Sequence, residues 1–212
     1  GWTGSSLGVG IVREDRLLFL QHNVGRQLGP LQGAPSLADR WGHYLSALAW
    51  LGADFACLEE LGIGPLACAA SEIRTIVRAW ARRNSPVSIW LTAPDGAEAN
   101  VAGAASGMCV LAFGPWAARG QGSRRWADGR GLFVEFAARG RDSFSVGGLY
   151  APADGASRAR HARHRAAALE ERAELVERAC PFVWGGDLNF TCLPEDRVGT
   201  TPPSAEGRAW LA

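Results

Sequence analysis

Four short apolar runs in this chain each stop at polar residues, and that pattern constrains the fold more than any other feature. Leu17-Leu-Phe-Leu-Gln21 leads into His22-Asn23. Asp54-Phe-Ala-Cys-Leu58 leads into Glu59-Glu60. A run closing at Leu149-Tyr150 leads into Ala151-Pro152, and Pro181-Phe-Val-Trp184 leads through Gly185-Gly186 to Asp187 and Asn189. Apolar runs of this length bounded by turn residues read as buried strands. Polar residues placed at strand ends can gather at one edge of a sheet, where a chain builds a site instead of a core.

Helical segments alternate with these runs. Ser36-Leu-Ala-Asp39 has the spacing of a capping box, Trp41, Leu45, Leu48 and Leu51 then share one helical face, and Gly52 suits a left-handed stop. A second helix is expected from near Ser71, with Ile73, Ile76, Val77 and Trp80 on its apolar face and Asn84 and Pro86 at its end. Val87–Leu91 and Gly107–Phe113 read as strands, with a loop of small residues from Pro94 to Ala105 between them. Leu132–Phe136 and Ser143–Val146 read as a hairpin around Gly140 that continues to Tyr150. Arg119 to Arg130 is expected to be an arginine-rich loop. Ser157 can cap a long helix through Arg178, with Ala162, Ala166, Leu169, Ala173 and Val176 as its apolar stripe. Its basic residues crowd the first half and its glutamates the second, which opposes the helix dipole at both ends. The expected class is α/β (α+β), a two-sheet sandwich flanked by helices.

Composition excludes several functions. All 22 basic residues are arginine, yet the net charge is only +1, so no global field draws in a polyanion. Arginine grips phosphate bidentately, and local clusters occur at Arg119, Arg124, Arg125 and Arg130 and at Arg158, Arg160, Arg163 and Arg165. The five cysteines (Cys57, Cys68, Cys109, Cys180 and Cys192) are odd in number and include no Cys-x-x-Cys pair, which argues against a disulfide framework and structural zinc and fits a reducing compartment. No apolar run is long enough for a membrane-spanning helix. The only methionine is Met108, so the chain is expected to be a fragment, a processed product or an incomplete gene product.

The strand-end residues have a chemistry in common. Residues i and i+2 of an extended segment point to one side, so Asp187 and Asn189 can aim at one spot. A carboxylate beside a carboxamide suits water activation and phosphate positioning. Taken singly, Asn23 is a turn residue, Glu60 a surface charge and Tyr150 a core aromatic. His22, His43, His161 and His164 read as structural or solvated.

Four runs in order resemble the endonuclease/exonuclease/phosphatase superfamily, and most closely the apurinic-type endonuclease domain of non-LTR retrotransposon polyproteins. They are Leu20-Gln-His-Asn-Val-Gly-Arg26, Ala53-Asp-Phe-Ala-Cys-Leu-Glu-Glu60, Val146-Gly-Gly-Leu-Tyr-Ala-Pro152 and Val183-Trp-Gly-Gly-Asp-Leu-Asn-Phe190. Gly107-Met-Cys-Val-Leu111 resembles the family's middle strand, and Asp196-Arg197 a pair that often follows its Gly-Asp-x-Asn. The likeness runs from about residue 17 to the end, and residues 1–212 are read as one domain of this kind.

The resemblance implies a Mg²⁺-dependent phosphodiester hydrolase, with Mn²⁺ as a substitute metal. Glu60 and Asn23 would hold the metal, Asp187 would activate water, and Asn189 and Tyr150 would stabilise the phosphate. Arg124, Arg125 and Arg158 would contact DNA. The implied function is a DNA-nicking endonuclease, continuous with a reverse transcriptase in its parent polyprotein, intracellular and nuclear. The alternatives are a phosphodiesterase or phosphatase acting on RNA, lipid or inositol phosphates, or an inactive remnant that binds nucleic acid or a protein.

The chain departs from the family pattern in three places. Glu59 stands where the family commonly has Gln, Ala153-Asp154 stands where Asn often follows Tyr-x-Pro, and the family's late Asp and Ser-Asp-His run has no counterpart after Asn189. The domain is therefore expected to be incomplete at its C-terminus and, as this fragment, to have little nuclease activity.

Overall fold

The computed structural model describes residues 16–25, 27–29, 33–62, 67–92, 107–125, 129–138, 143–151 and 158–187. Eight strands form two four-stranded sheets. The first contains β1 (Phe19–Asn23), β2 (Phe55–Glu59), β3 (Val87–Thr92) and β4 (Met108–Phe113), in the order β1-β2-β4-β3. The second contains β5 (Gly120–Arg125), β6 (Gly131–Phe136), β7 (Phe144–Tyr150) and β8 (Phe182–Asp187), in that order. Helices α1 (Leu37–Trp50), α2 (Ala67–Ala81) and α3 (Arg158–Glu177) complete the fold, and a 3-10 turn, Gly114–Ala118, joins β4 to β5.

Strand alternation builds two cores. Ala56, Leu58, Cys109 and Leu111 face α1 and α2 and pack with Trp41, Leu45, Leu48, Ile73, Val77 and Trp80. The other parity, Phe55, Cys57, Met108, Val110 and Ala112, faces the second sheet and meets Leu132, Val134, Phe136, Val146 and Tyr150. A sheet buried on both faces needs apolar residues at nearly every position, and β2 and β4 are buried throughout. On the outer face of the second sheet, Arg124 and Glu135 pair with Glu174 and Arg178, so α3 lies over that face. The layers run helices, sheet, sheet, helix.

Each sheet contains one parallel pair. β1 and β2 are joined through α1, and β7 and β8 through α3; a parallel pair requires such a crossover. All other pairings are antiparallel. Both ends of a parallel pair point the same way, so each pair delivers two strand C-termini to one edge of its sheet.

Local signals account for α1. The Ser36 hydroxyl accepts from the Asp39 N–H at 3.1 Å and donates to its carboxylate at 2.6 Å, which satisfies one of the unpaired first-turn donors. Gly52 ends the helix with φ of 75°, where glycine carries no Cβ penalty. Leu51 is exposed, just beyond the helix end.

Several expectations are corrected. The segment read as an arginine-rich loop contains β5, an edge strand exposed at every position. Its small polar residues give no alternating signal, because neither face is buried; the pairing with β6 makes the strand. The second helix begins at Ala67, before Ser71. The apolar stripe assigned to α3 is out of phase. Ala162, Ala166 and Ala173 are exposed, as are Leu169 and Val176, while His164, Ala168 and Leu175 are buried. Two apolar stripes overlap on this alanine-rich helix, and the one that docks includes a histidine that hydropathy counts as polar. Gly185 and Gly186 lie inside β8 instead of forming a turn before the polar pair. Residues 93–106, which include the expected Pro94–Ala105 loop, and Gly140 lie outside the described residues.

Candidate active site

The two parallel pairs converge where β1, β2, β7 and β8 end. Asn23 is the register partner of Glu59, and Tyr150 is the register partner of Asp187. β1 packs across the sandwich against β8, and β2 against β7.

Glycines allow the sheets to approach closely here. A Cβ on Gly148 would lie 2.1 Å from Cys57 Sγ in the opposing sheet, and one on Gly185 would lie 2.8 Å from Cβ and Cγ of Gln21. Gly148 and Gly185 are themselves register partners. Gly185, the first of the pair that resembled a turn, is thus where β8 comes within side-chain contact of the other sheet.

Glu60 crosses this narrow gap. Glu59 shares the inward parity of Phe55 and Cys57; it is fully buried, and its Oε2 accepts from Gln21 Nε2 at 3.1 Å. Continued alternation would turn Glu60 outward toward the helices. Its φ of 54° breaks that alternation, and Glu60 Oε1 accepts a hydrogen bond from the Tyr150 hydroxyl at 2.5 Å. A left-handed backbone is uncommon outside glycine and persists where surrounding structure holds it. Here Val24 N donates to Glu59 O at 3.0 Å and Leu61 N to Gly107 O at 3.1 Å, fixing the chain on both sides.

The Asn23 carboxamide oxygen accepts from the Gly25 N–H at 3.0 Å, as expected of a turn residue. A carbonyl oxygen has two lone pairs, so this bond does not bar it from a cation. Asp187 closes β8 in register with Tyr150; Asn189 lies outside the described residues. The structure therefore joins Glu60 to Tyr150 directly and brings the backbones of Asn23 and Asp187 to the same end of the sheets.

The expected nucleic-acid contacts have other surroundings. Arg124 donates two hydrogen bonds to the Glu174 carboxylate and lies 3.8 Å from Glu171, tying β5 to α3. Arg125 is exposed at the end of β5, and Arg158 begins α3. Sequence reasoning missed Gln21, which holds Glu59. It also missed Arg130, whose guanidinium lies over the Tyr150 ring, 4.7 Å from its centroid. Each belonged to a run that drew notice for another residue.

Cys57 and Cys109 belong one to each core. Burial, with Glu59 nearby, pushes the Cys57 thiol well above its ordinary range, and burial also raises Cys109; a protonated thiol is a poor nucleophile. His22 stacks on Tyr44 and shares a 2.5 Å hydrogen bond with its hydroxyl, and His164 is buried on the docking face of α3. Among the described residues no cluster of three or more His, Cys, Asp or Glu is arranged to hold a metal. None of the described helices is long and apolar enough to cross a membrane.

Two mixed four-stranded sheets with helices on both outer faces define the endonuclease/exonuclease/phosphatase-like fold. Solved structures share it. TDP2 from D. rerio, complexed with a single-stranded DNA product, is 15% identical with a TM-score of 0.51, over 92% of this chain and 64% of that one. The human Nocturnin catalytic domain with a bound sulfate is 13% identical with a TM-score of 0.52, over 80% of this chain and 64% of the other. A truncated Caenorhabditis elegans TDP2 is 12% identical with a TM-score of 0.50, over 87% and 64%. The chain spans less than two thirds of each of these structures. No protein-family model matches the chain, and no curated protein does.

Proposed function

We propose that this chain belongs to a divalent-metal-dependent phosphoester hydrolase, acting on a phosphodiester or phosphomonoester. The observation that carries the reading is the Tyr150–Glu60 contact across the sandwich, made where β1, β2, β7 and β8 all end. The fold shared with TDP2 and Nocturnin supports it, and so does the order of the four runs.

The residues present suit a hard cation. Mg²⁺ takes oxygen ligands, keeps several waters and needs only one or two carboxylates, so the lack of a three-ligand cluster among the described residues does not weigh against it. Glu60 and Asn23 would hold it. When bound, the cation would neutralise charge developing on the phosphoryl oxygens. Tyr150 orients the Glu60 carboxylate by donating its one O–H to it, and that donor turns to a phosphate oxygen only by leaving Glu60. Asp187 takes the proton of the attacking water, and Asn189 donates to a phosphate oxygen. Fully buried Glu59 keeps a second carboxylate beside Glu60, held in place by Gln21.

The narrower reading is a DNA-nicking endonuclease of a retrotransposon polyprotein, working in the nucleus. It rests on the resemblance of the four runs and on the DNA product bound by the D. rerio TDP2. The human Nocturnin catalytic domain has the same fold with a sulfate bound, and a fold does not choose a substrate. The broader reading is therefore the conclusion.

The natural protein that carries this chain is expected to hydrolyse an activated phosphodiester with Mg²⁺ and to stop on chelation. Asp187→Ala should lower kcat by about a thousandfold or more with little change in KM, as loss of a transition-state interaction does. Chelator-resistant turnover, or a fully active Asp187→Ala protein, would overturn the reading. Supercoiled plasmid, RNA and phosphomonoesters assayed side by side then separate the narrower readings.

A further inference from the structure

We infer that Arg130 is a positioning residue of this site, acting through Tyr150; the inference rests on the function proposed above. Arg130 is only 7% exposed, although it lies in an arginine-rich stretch, just before β6. An arginine is almost never buried to this degree unless its charge is engaged. Here the guanidinium lies on the Tyr150 ring, 4.7 Å from its centroid, and Nη1 reaches the Ala151 carbonyl at 3.5 Å. That ring carries the hydroxyl that donates to Glu60.

The backbone fixes the arrangement as well. Tyr150 N donates to Arg130 O at 2.8 Å, extending the β6–β7 ladder by one step. Just before it, the buried Thr92 hydroxyl donates to Gly129 O at 2.6 Å, tying the end of β3 to the entry of β6. Arg130 is thus pinned through its own backbone, its neighbour and its charge. A cation over a desolvated aromatic face is attracted by the ring quadrupole, so the guanidinium holds the ring flat and keeps its hydroxyl aimed at Glu60.

The chain has only two tyrosines, Tyr44 and Tyr150, so 3-fluorotyrosine labelling gives two ¹⁹F resonances, assigned with Tyr44→Phe. Arg130→Met should shift and broaden the Tyr150 signal and leave Tyr44 in place. Glu60→Gln should shift Tyr150 in the parent chain, and that response should largely vanish in the Arg130→Met background. In the active protein, Arg130→Met should lower kcat about tenfold with KM nearly unchanged, and Arg130→Lys should restore most of the loss by returning the charge.

A folded Arg130→Met chain with an unmoved Tyr150 signal and an intact response to Glu60→Gln would overturn the assignment. So would a kcat equal to the parent's. The Tyr44 signal reports folding, and Arg130→Lys provides the reading should Arg130→Met unfold. A parent protein with no hydrolase activity would sink the proposed function, while the fluorine coupling would still decide whether Arg130 positions Tyr150.

Discussion

At the scale of single residues, the site depends on one hydrogen bond and on the glycines that permit it. Tyr150→Phe removes the donor to Glu60 and leaves the ring on Arg130. Steady-state kinetics should show kcat reduced by about ten- to a hundredfold with the fold intact, since a hydrogen bond to a charged partner is worth about 1.5–3 kcal/mol. An unchanged kcat would mean that the contact only packs the sandwich. Gly148→Ala probes the narrow gap itself. Its Cβ would meet Cys57 Sγ at 2.1 Å and Gly185 O at 3.2 Å, and overpacking of this kind costs about 1–3 kcal/mol. Urea unfolding should show that destabilisation, with activity falling in parallel as Tyr150 moves from Glu60. A Gly148→Ala chain as stable as the parent would show that the sheets can part freely.

Among the elements, α3 departs furthest from its sequence pattern. Its docking is polar at one end: Arg124 holds Glu174, and Arg178 holds Glu135 at 2.8 Å. The Ser143 hydroxyl, and then Arg178, lower the Glu135 carboxyl below its ordinary range, and the hydrogen bond from Arg124 lowers Glu174. Burial raises Glu171. The signs oppose one another. A depressed carboxyl stabilises the fold above its unfolded pKa and loses that contribution as pH falls through the folded value. A raised one has the opposite dependence, favouring the fold on the acid side and losing that contribution as pH rises. With two lowered and one raised, α3 should loosen below about pH 4.5, near ordinary carboxylate values. Hydrogen exchange of α3 amides should detect this before the core of β2 and β4 opens. Arg124→Met should flatten the pH dependence; an unaltered profile would place the ion pair outside the energetics of docking.

These elements also show what a sequence can disclose. The cap at Ser36, the stop at Gly52 and the strands β2, β4, β6 and β7 follow from local chemistry and periodicity, and they are where expected. β5 was hidden because an edge strand exposed on both faces has no alternating pattern to read. The phase of α3 was hidden because alanine fits either face, and the ion pairs that choose one come from β5 and β6, distant in the chain. Tyr150 and Glu60 were legible as strand-end residues. Their contact was not, because it depends on a left-handed φ at Glu60 that no sequence rule assigns to glutamate. Arg130 was legible only as charge, since its burial depends on where Tyr150 ends.

For the molecule as a whole, net charge is the constraint on any polyanionic substrate. At +1 over 212 residues, affinity for nucleic acid must come from local clusters, not from an overall field. The structure separates the two arginines at the end of β5. Arg124 is committed to Glu174 and Glu171, whereas Arg125 is exposed on the last position of the strand. On the proposed reading, both stand toward the end of the second sheet that carries Tyr150, because Arg125 is in register with Leu132, which in turn pairs with Gly148. A single-stranded oligonucleotide should therefore bind weakly, with affinity falling steeply as salt rises. Every cation that neutralises a phosphate of a single strand adds about 0.7 to the steepness of log affinity against log salt. Arg125→Ala should reduce the steepness by about that amount, while Arg124→Ala should leave it alone and loosen α3 instead. Fluorescence anisotropy across a salt series reads the first effect and hydrogen exchange the second. Equal slope changes for the two variants would show that Arg124 leaves its carboxylates to meet the phosphate, and that the β5–α3 tether yields when substrate arrives.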